Sequence, residues 1–124
     1  MTPLELLGIA AAGGAGAVLR FAAGALDRDR PARATMAVNL VASLLAGFCT
    51  TLLPLDEAWR VVLLTGFCAG FSTYSAFAVQ AVEQLERRRS GRAAATVALT
   101  LVGGGAAAAL GMLLGALVAP AIAI

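Results

Sequence analysis

The chain has 124 residues, 60% of them hydrophobic and 13% charged, with no lysine, no histidine and a formal net charge of +2. A water-soluble domain of this length cannot cover so much apolar surface, so its natural solvent is lipid. Cys49 and Cys68 both lie in apolar segments, and with no histidine to add ligands they read as small hydrophobes, not as a metal or redox pair.

Hydropathy predicts one four-helix transmembrane domain over 1–124, with spans at about 3–26, 35–53, 58–85 and 93–119 joined by short turns. The first span has no basic leader, contains Arg20 and is followed by three more spans, so it reads as a retained helix and not a cleaved signal. Arg20 has two readings: snorkelling toward an interface or backbone carbonyls, or forming an electropositive vestibule for an anion. In the second span, "TMAVNLVASLLAG" (35–47) places Asn39 and Ser43 four residues apart and so on one face.

The third span holds "GFCAGFSTYSAF" (66–77), in which Ser72, Thr73, Tyr74 and Ser75 follow Gly66 and Gly70. Four polar side chains in a row inside hydrocarbon need partners, because an unsatisfied polar group there costs several kcal/mol. The stretch is therefore expected to break the helix and build an ion site. Tyr74 and Phe77, three apart, share a face and can turn electropositive ring edges toward an anion, or simply pack. Thr96 and Thr100 line one face of the fourth span. With Asn39 and Ser43 they offer N–H and O–H donors without net charge, which suits a small anion that must shed its water and still leave. The competing reading for each hydroxyl is a bond to the carbonyl four residues back.

The acids Glu5, Asp27, Asp29, Asp56, Glu57, Glu83 and Glu86 all sit near span ends or in turns. With no carboxylate at midspan, a small proton-coupled multidrug exporter is disfavoured. The turn at 54–60 carries only Arg60, whereas the turns at 27–33 and 86–92 carry Arg28, Arg30, Arg33, Arg87, Arg88, Arg89 and Arg92. The positive-inside rule then puts those two turns in the cytoplasm and both termini outside. The run "ERRRSGR" (86–92) reads as a topology and headgroup signal, and nucleic acid is not an expected partner. Gly66/Gly70 and Gly111/Gly115 have small-xxx-small spacing, which serves packing within the chain, a subunit interface, or both. Four helices are too few to enclose a pore, so a conduction path calls for a second chain.

Three stretches carry a family likeness: "GGAGAVLRF" (13–21), "ATMAVNLVASLLAG" (34–47) and "TGFCAGFSTYSAF" (65–77). The chain resembles the Fluc-type (CrcB-like) fluoride-specific ion channels over essentially its whole length. The third stretch is the most specific, against a family pattern of approximately T-G-F-C-G-G-x-T-T-F-S-T-F. The resemblance implies an antiparallel, dual-topology dimer in the bacterial inner membrane, with the third helix broken at the membrane centre and two fluoride pores along the interface. It also implies a structural, non-transported Na+ held by backbone carbonyls at positions matching Ala69 and Ser72. Asn39 matches the pore-lining Asn of the family, Arg20 its first-helix Arg, and Phe77 the second phenylalanine of the motif. Tyr74 replaces the first phenylalanine, Gln80 stands where many members carry Glu, and Gly104 stands where a hydroxyl would continue the Thr96/Thr100 track.

The function so implied is passive export of fluoride that entered as HF and dissociated in the cytoplasm. A chain that inserts both ways carries little charge bias, so seven arginines against one point to a homologous partner of opposite bias; a homodimer is the alternative. A non-conducting membrane scaffold is the other rival, and no catalytic constellation is present.

Overall fold

The computed structural model describes residues 1–54 and 56–122; Leu55, in the second turn, and the last two residues lie outside it. The described residues form helices and turns only. The helices are α1 (Pro3–Leu26), α2 (Pro31–Leu52), α3 (Ala58–Val61), a π-helical segment (Val62–Cys68), α4 (Ala69–Phe71), α5 (Tyr74–Glu86) and α6 (Ser90–Ile122). From α3 to α5 the chain forms one span, so four stretches are long and apolar enough to cross a membrane. The all-helical, four-span expectation holds.

The chain writes its helix ends locally. Thr2 and Glu5 form a capping box: Thr2 N–H donates to Glu5 Oε2 at 2.7 Å and Glu5 N–H to Thr2 Oγ1 at 3.2 Å. Pro31, expected in a turn, is instead the first residue of α2, where a missing N–H does no harm. At the end of α5, Arg88 adopts φ 56°, with Arg89 N–H donating to Gln84 O at 2.8 Å and Arg88 N–H to Leu85 O at 3.0 Å. That is a Schellman stop with arginine in the position glycine normally fills.

The helices pack through small residues in two seams. On α2 the buried positions are Ala34, Val38, Ala42, Gly47 and Cys49, and no large side chain among the described residues is fully buried. A Cβ added at Gly47 would meet the backbone of Ala108, and one at Gly111 the carbonyl of Leu44, so α2 and α6 touch almost backbone to backbone. Thr51 Oγ1 reinforces that seam by donating to Met112 O at 2.8 Å.

The second seam joins α1 to the third span. A Cβ at Gly66 would lie 2.9 Å from Ile9 O, one at Gly16 2.5 Å from Phe67 O, and one at Gly70 would strike Gly13. Both small-xxx-small pairs are thus used for packing within one chain. The outer faces remain apolar and uncovered, with Leu4, Leu7, Val18 and Phe21 of α1 exposed, as a helix in lipid presents them.

Candidate functional site

Ser72 (φ −75°, ψ 163°) and Thr73 (φ −149°, ψ 121°) leave helical geometry between α4 and α5. Other spans supply what the lost helix bonds no longer provide. Asn39 Nδ2 donates to Thr73 O at 2.9 Å, and Thr73 N–H donates to Asn39 Oδ1 at 2.8 Å, so one carboxamide pairs with one residue's backbone as a neighbouring strand would. Arg20 Nη1 donates to Ser72 O at 2.9 Å. Thr73 Oγ1 accepts from Ala76 N–H at 3.3 Å and so caps α5, with Ser75 Oγ 3.3 Å away.

The N–H groups that would have closed helical rings on Ala69 O and Ser72 O, those of Thr73 and Ala76, are both taken by side chains. Ala69 O receives only a long contact from Ser72 Oγ, 3.4 Å. Two neutral carbonyl oxygens are therefore released at the interruption. The carbonyl end of the run Val62–Phe71 carries partial negative charge and the N-terminus of the 13-residue α5 partial positive charge. One short stretch can thus attract a cation at one edge and an anion at the other.

A cavity of about 320 Å³ opens onto the interruption, lined among others by Arg20, Thr35, Thr73, Ser75 and Gln80. Gln80 Nε2 donates to Thr35 Oγ1 at 2.9 Å, which ties α5 to α2 at its wall.

Other proposed pore residues lie apart from this cavity. Ser43 Oγ donates to Asn39 O at 2.9 Å on its own helix, and a Cβ at Gly104 would come 3.5 Å from that hydroxyl. Thr96 is buried, and its Oγ1 lies 3.0 Å from both Gln84 Oε1 and Arg92 O, two acceptors for its one proton. Thr100 is half-buried, one turn further along α6. The rings of Tyr74 and Phe77 sit 5.9 Å apart at a 54° tilt, and Tyr74 is 79% exposed. That much bare aromatic surface on a membrane helix faces lipid or another chain.

Sequence reasoning did not single out Thr35 or Gln84. The signal was there: Thr35, Asn39 and Ser43 repeat every four residues, as do Gln80 and Gln84, so each set lines one helix face. The described residues contain no cluster of His, Cys, Asp and Glu able to hold a metal, so backbone oxygens are the cation donors on offer.

The profile of the family described as "CrcB-like protein, Camphor Resistance (CrcB)" matches residues 7–112. The chain belongs to the CrcB family. Among its relatives is a protein named fluoride-specific ion channel FluC 1 from Leifsonia xyli subsp. xyli, 38% identical over 97% of this chain and 93% of the relative. The fluoride-specific ion channel FluC of Bordetella avium is 33% identical over 90% and 93%, and FluC 1 of Mycobacterium bovis 39% identical over 78% and 80%. The interruption, Arg20 and Asn39 all fall inside the matched segment.

Proposed function

We infer that this chain is one subunit of a fluoride channel, not an enzyme, and that it lets fluoride leave the cytoplasm down its electrochemical gradient. Membership of the CrcB family and relatives named as fluoride channels support the ion. The observation that carries the mechanism is the extended Ser72–Thr73 pair, held by Asn39 and Arg20 beside a cavity into whose wall Arg20, Thr73, Ser75 and Gln80 enter. Fluoride loses a tight hydration shell on entering a narrow path, so the path must return hydrogen-bond donors and positive dipole ends in its place. Arg20 and the N-terminus of α5 supply the positive potential at the cavity. The exposed pair Tyr74 and Phe77 offers ring edges to an ion passing along a subunit interface.

Two subunits are needed. The carbonyls of Ala69 and Ser72 fit a hard monovalent cation in donor chemistry, since both are neutral oxygens freed from the helix. One chain supplies only two of them, and Arg20 already uses one lone pair of Ser72 O. A structural Na+ would thus sit where two copies bring their interruptions together, and its chemistry would be to neutralise the carbonyl ends facing it.

An antiparallel pair presents the same interruption from both sides, and the bare face around Tyr74 is the surface it would cover. The arginine-rich turns set the orientation of this chain with those turns in the cytoplasm, so its mate is a homologous subunit of opposite charge bias.

The test is fluoride efflux from Na+-loaded liposomes holding this chain alone, or this chain with a related subunit, against a chloride control. Fast efflux that ignores a proton gradient supports the channel. Efflux that tracks the gradient supports a coupled exporter, and no efflux in either preparation supports a scaffold. Conduction by the chain alone would remove the obligate partner and leave the channel in place.

A further inference from the structure

At the end of the bundle where the chain turns from α1 to α2 and from α5 to α6, a cavity of about 620 Å³ is lined by Arg30, Arg33, Arg87, Arg89 and Arg92. Two carboxylates, those of Asp29 and Glu83, line it as well. Among the described residues the only ion pair is Arg33 with Asp27, 2.9 Å apart, so the other four guanidiniums have no carboxylate within salt-bridge reach. Four unpaired guanidiniums around one hollow repel one another unless an anion joins them.

The local structure aims them there. The Schellman stop at Arg88 reverses the chain so that Arg87 and Arg89 face the cavity and Arg88 does not. Helix α2 starts at the cavity wall with no side-chain cap, but Pro31 has no N–H and Arg33 N–H donates to Arg30 O at 3.1 Å. The guanidiniums, and not the helix end, are therefore the donors to an anion there.

The surroundings identify the kind of anion. Helix α6 runs for 33 residues where about 20 suffice to cross hydrocarbon, so a first turn carrying Arg92 can stand at headgroup depth. Leu99, exposed and seven residues beyond Arg92, stands on the same face of α6 and offers apolar surface beside the arginines. The exposed Val82 and Leu85 stand on the opposite face of α5 from the cavity-lining Gln80, Glu83, Gln84 and Arg87. Guanidinium forks match the paired oxygens of a phosphate. The geometry points to a binding site for the phosphate of an anionic phospholipid, with the head held by Arg87, Arg89 and Arg92 and the acyl chain along α6. Gln80 and Pro31 stand in the walls of both cavities, but Arg87, Arg89 and Arg92 line this one alone, so the site stands whether or not the chain conducts.

Native mass spectrometry of the detergent-purified full chain tests it, with short-chain phosphatidylglycerol, phosphatidylcholine and inorganic phosphate as probes. Phosphatidylglycerol should be retained at least tenfold more than phosphatidylcholine, and that preference should fall to near unity in R87Q/R89Q. An R28Q/R60Q variant removes the same charge from outside the cavity and should keep the preference. An R87K/R89K variant, which preserves charge, should retain part of it and guards against misfolding, checked by size-exclusion profile.

Equal retention of the two lipids would overturn the site. So would an equal loss in R28Q/R60Q, which would reduce the effect to net charge. Inorganic phosphate binding in the absence of any lipid preference would overturn the lipid and leave a soluble phosphate as the occupant.

Discussion

Replacing Asn39 by alanine removes both hydrogen bonds to the Thr73 backbone, the 2.8 Å bond from its N–H and the 2.9 Å bond to its carbonyl. Each backbone group so abandoned costs about 1–3 kcal/mol when it is buried. The site is only part-buried, so the low end applies and the pair together is worth about 2 kcal/mol. At roughly 1.4 kcal/mol per factor of ten, the properly formed interruption loses about 30-fold against competing backbone conformations.

The assay pairs fluoride efflux from liposomes with thermal unfolding in detergent. Asn39→Ala should lower both the unfolding temperature and the efflux rate. Asn39→Asp keeps an acceptor for Thr73 N–H, loses the donor to Thr73 O when ionised, and adds a charge of the permeant ion's own sign. It should therefore fold better than the alanine variant yet conduct no better. An alanine variant with wild-type unfolding and wild-type flux would show that the carboxamide does not hold the interruption.

Other changes test the rest of the architecture. Gly111→Leu would force side-chain atoms into the Leu44 carbonyl across the α2–α6 seam, costing about 1–3 kcal/mol or more; an unchanged unfolding temperature would refute the close approach. Arg88→Gly relieves a left-handed residue at φ 56° and should stabilise the chain by about 1 kcal/mol, read from the same melting curves. Ser43→Ala removes a bond made only to its own helix, so stability should move by less than about 0.5 kcal/mol. A many-fold drop in efflux for that variant would instead place the hydroxyl on the ion's path.

The four-span plan was legible because lipid leaves few options: apolar runs of sufficient length must become helices, and small residues must mark where they meet. The polar cluster at Ser72–Thr73 was legible as an oddity for the same reason. Its partners were harder to read. Asn39 looked like a donor aimed at an ion, and the structure shows its carboxamide on the Thr73 backbone. Of the two readings open for Arg20, the bond to a backbone carbonyl is the one found, and nothing in a linear pattern tells which helix face meets which. Thr96 paired on paper with Thr100 by spacing, yet its hydroxyl lies equally close to Arg92 O, the carbonyl four residues back, and to Gln84, a contact across a turn that periodicity does not encode. The second helix begins at Pro31, four residues before the apolar run suggested. Proline at N1 starts a helix at no cost in hydrogen bonds, and hydropathy cannot see that.

The fastening of Thr73 bears on how the molecule is made. The irregular backbone of Thr73 and its neighbour Ser72 is held by side chains that lie 34 and 52 positions earlier in the chain. The third span cannot take its final shape by itself; Arg20 and Asn39 must already be docked beside it. A chain that emerges from its N-terminus meets this order naturally, with the two clamps threaded into the bilayer before the segment they shape. A circularly permuted chain beginning at α3 would have to insert the same span with its carbonyls still unclaimed.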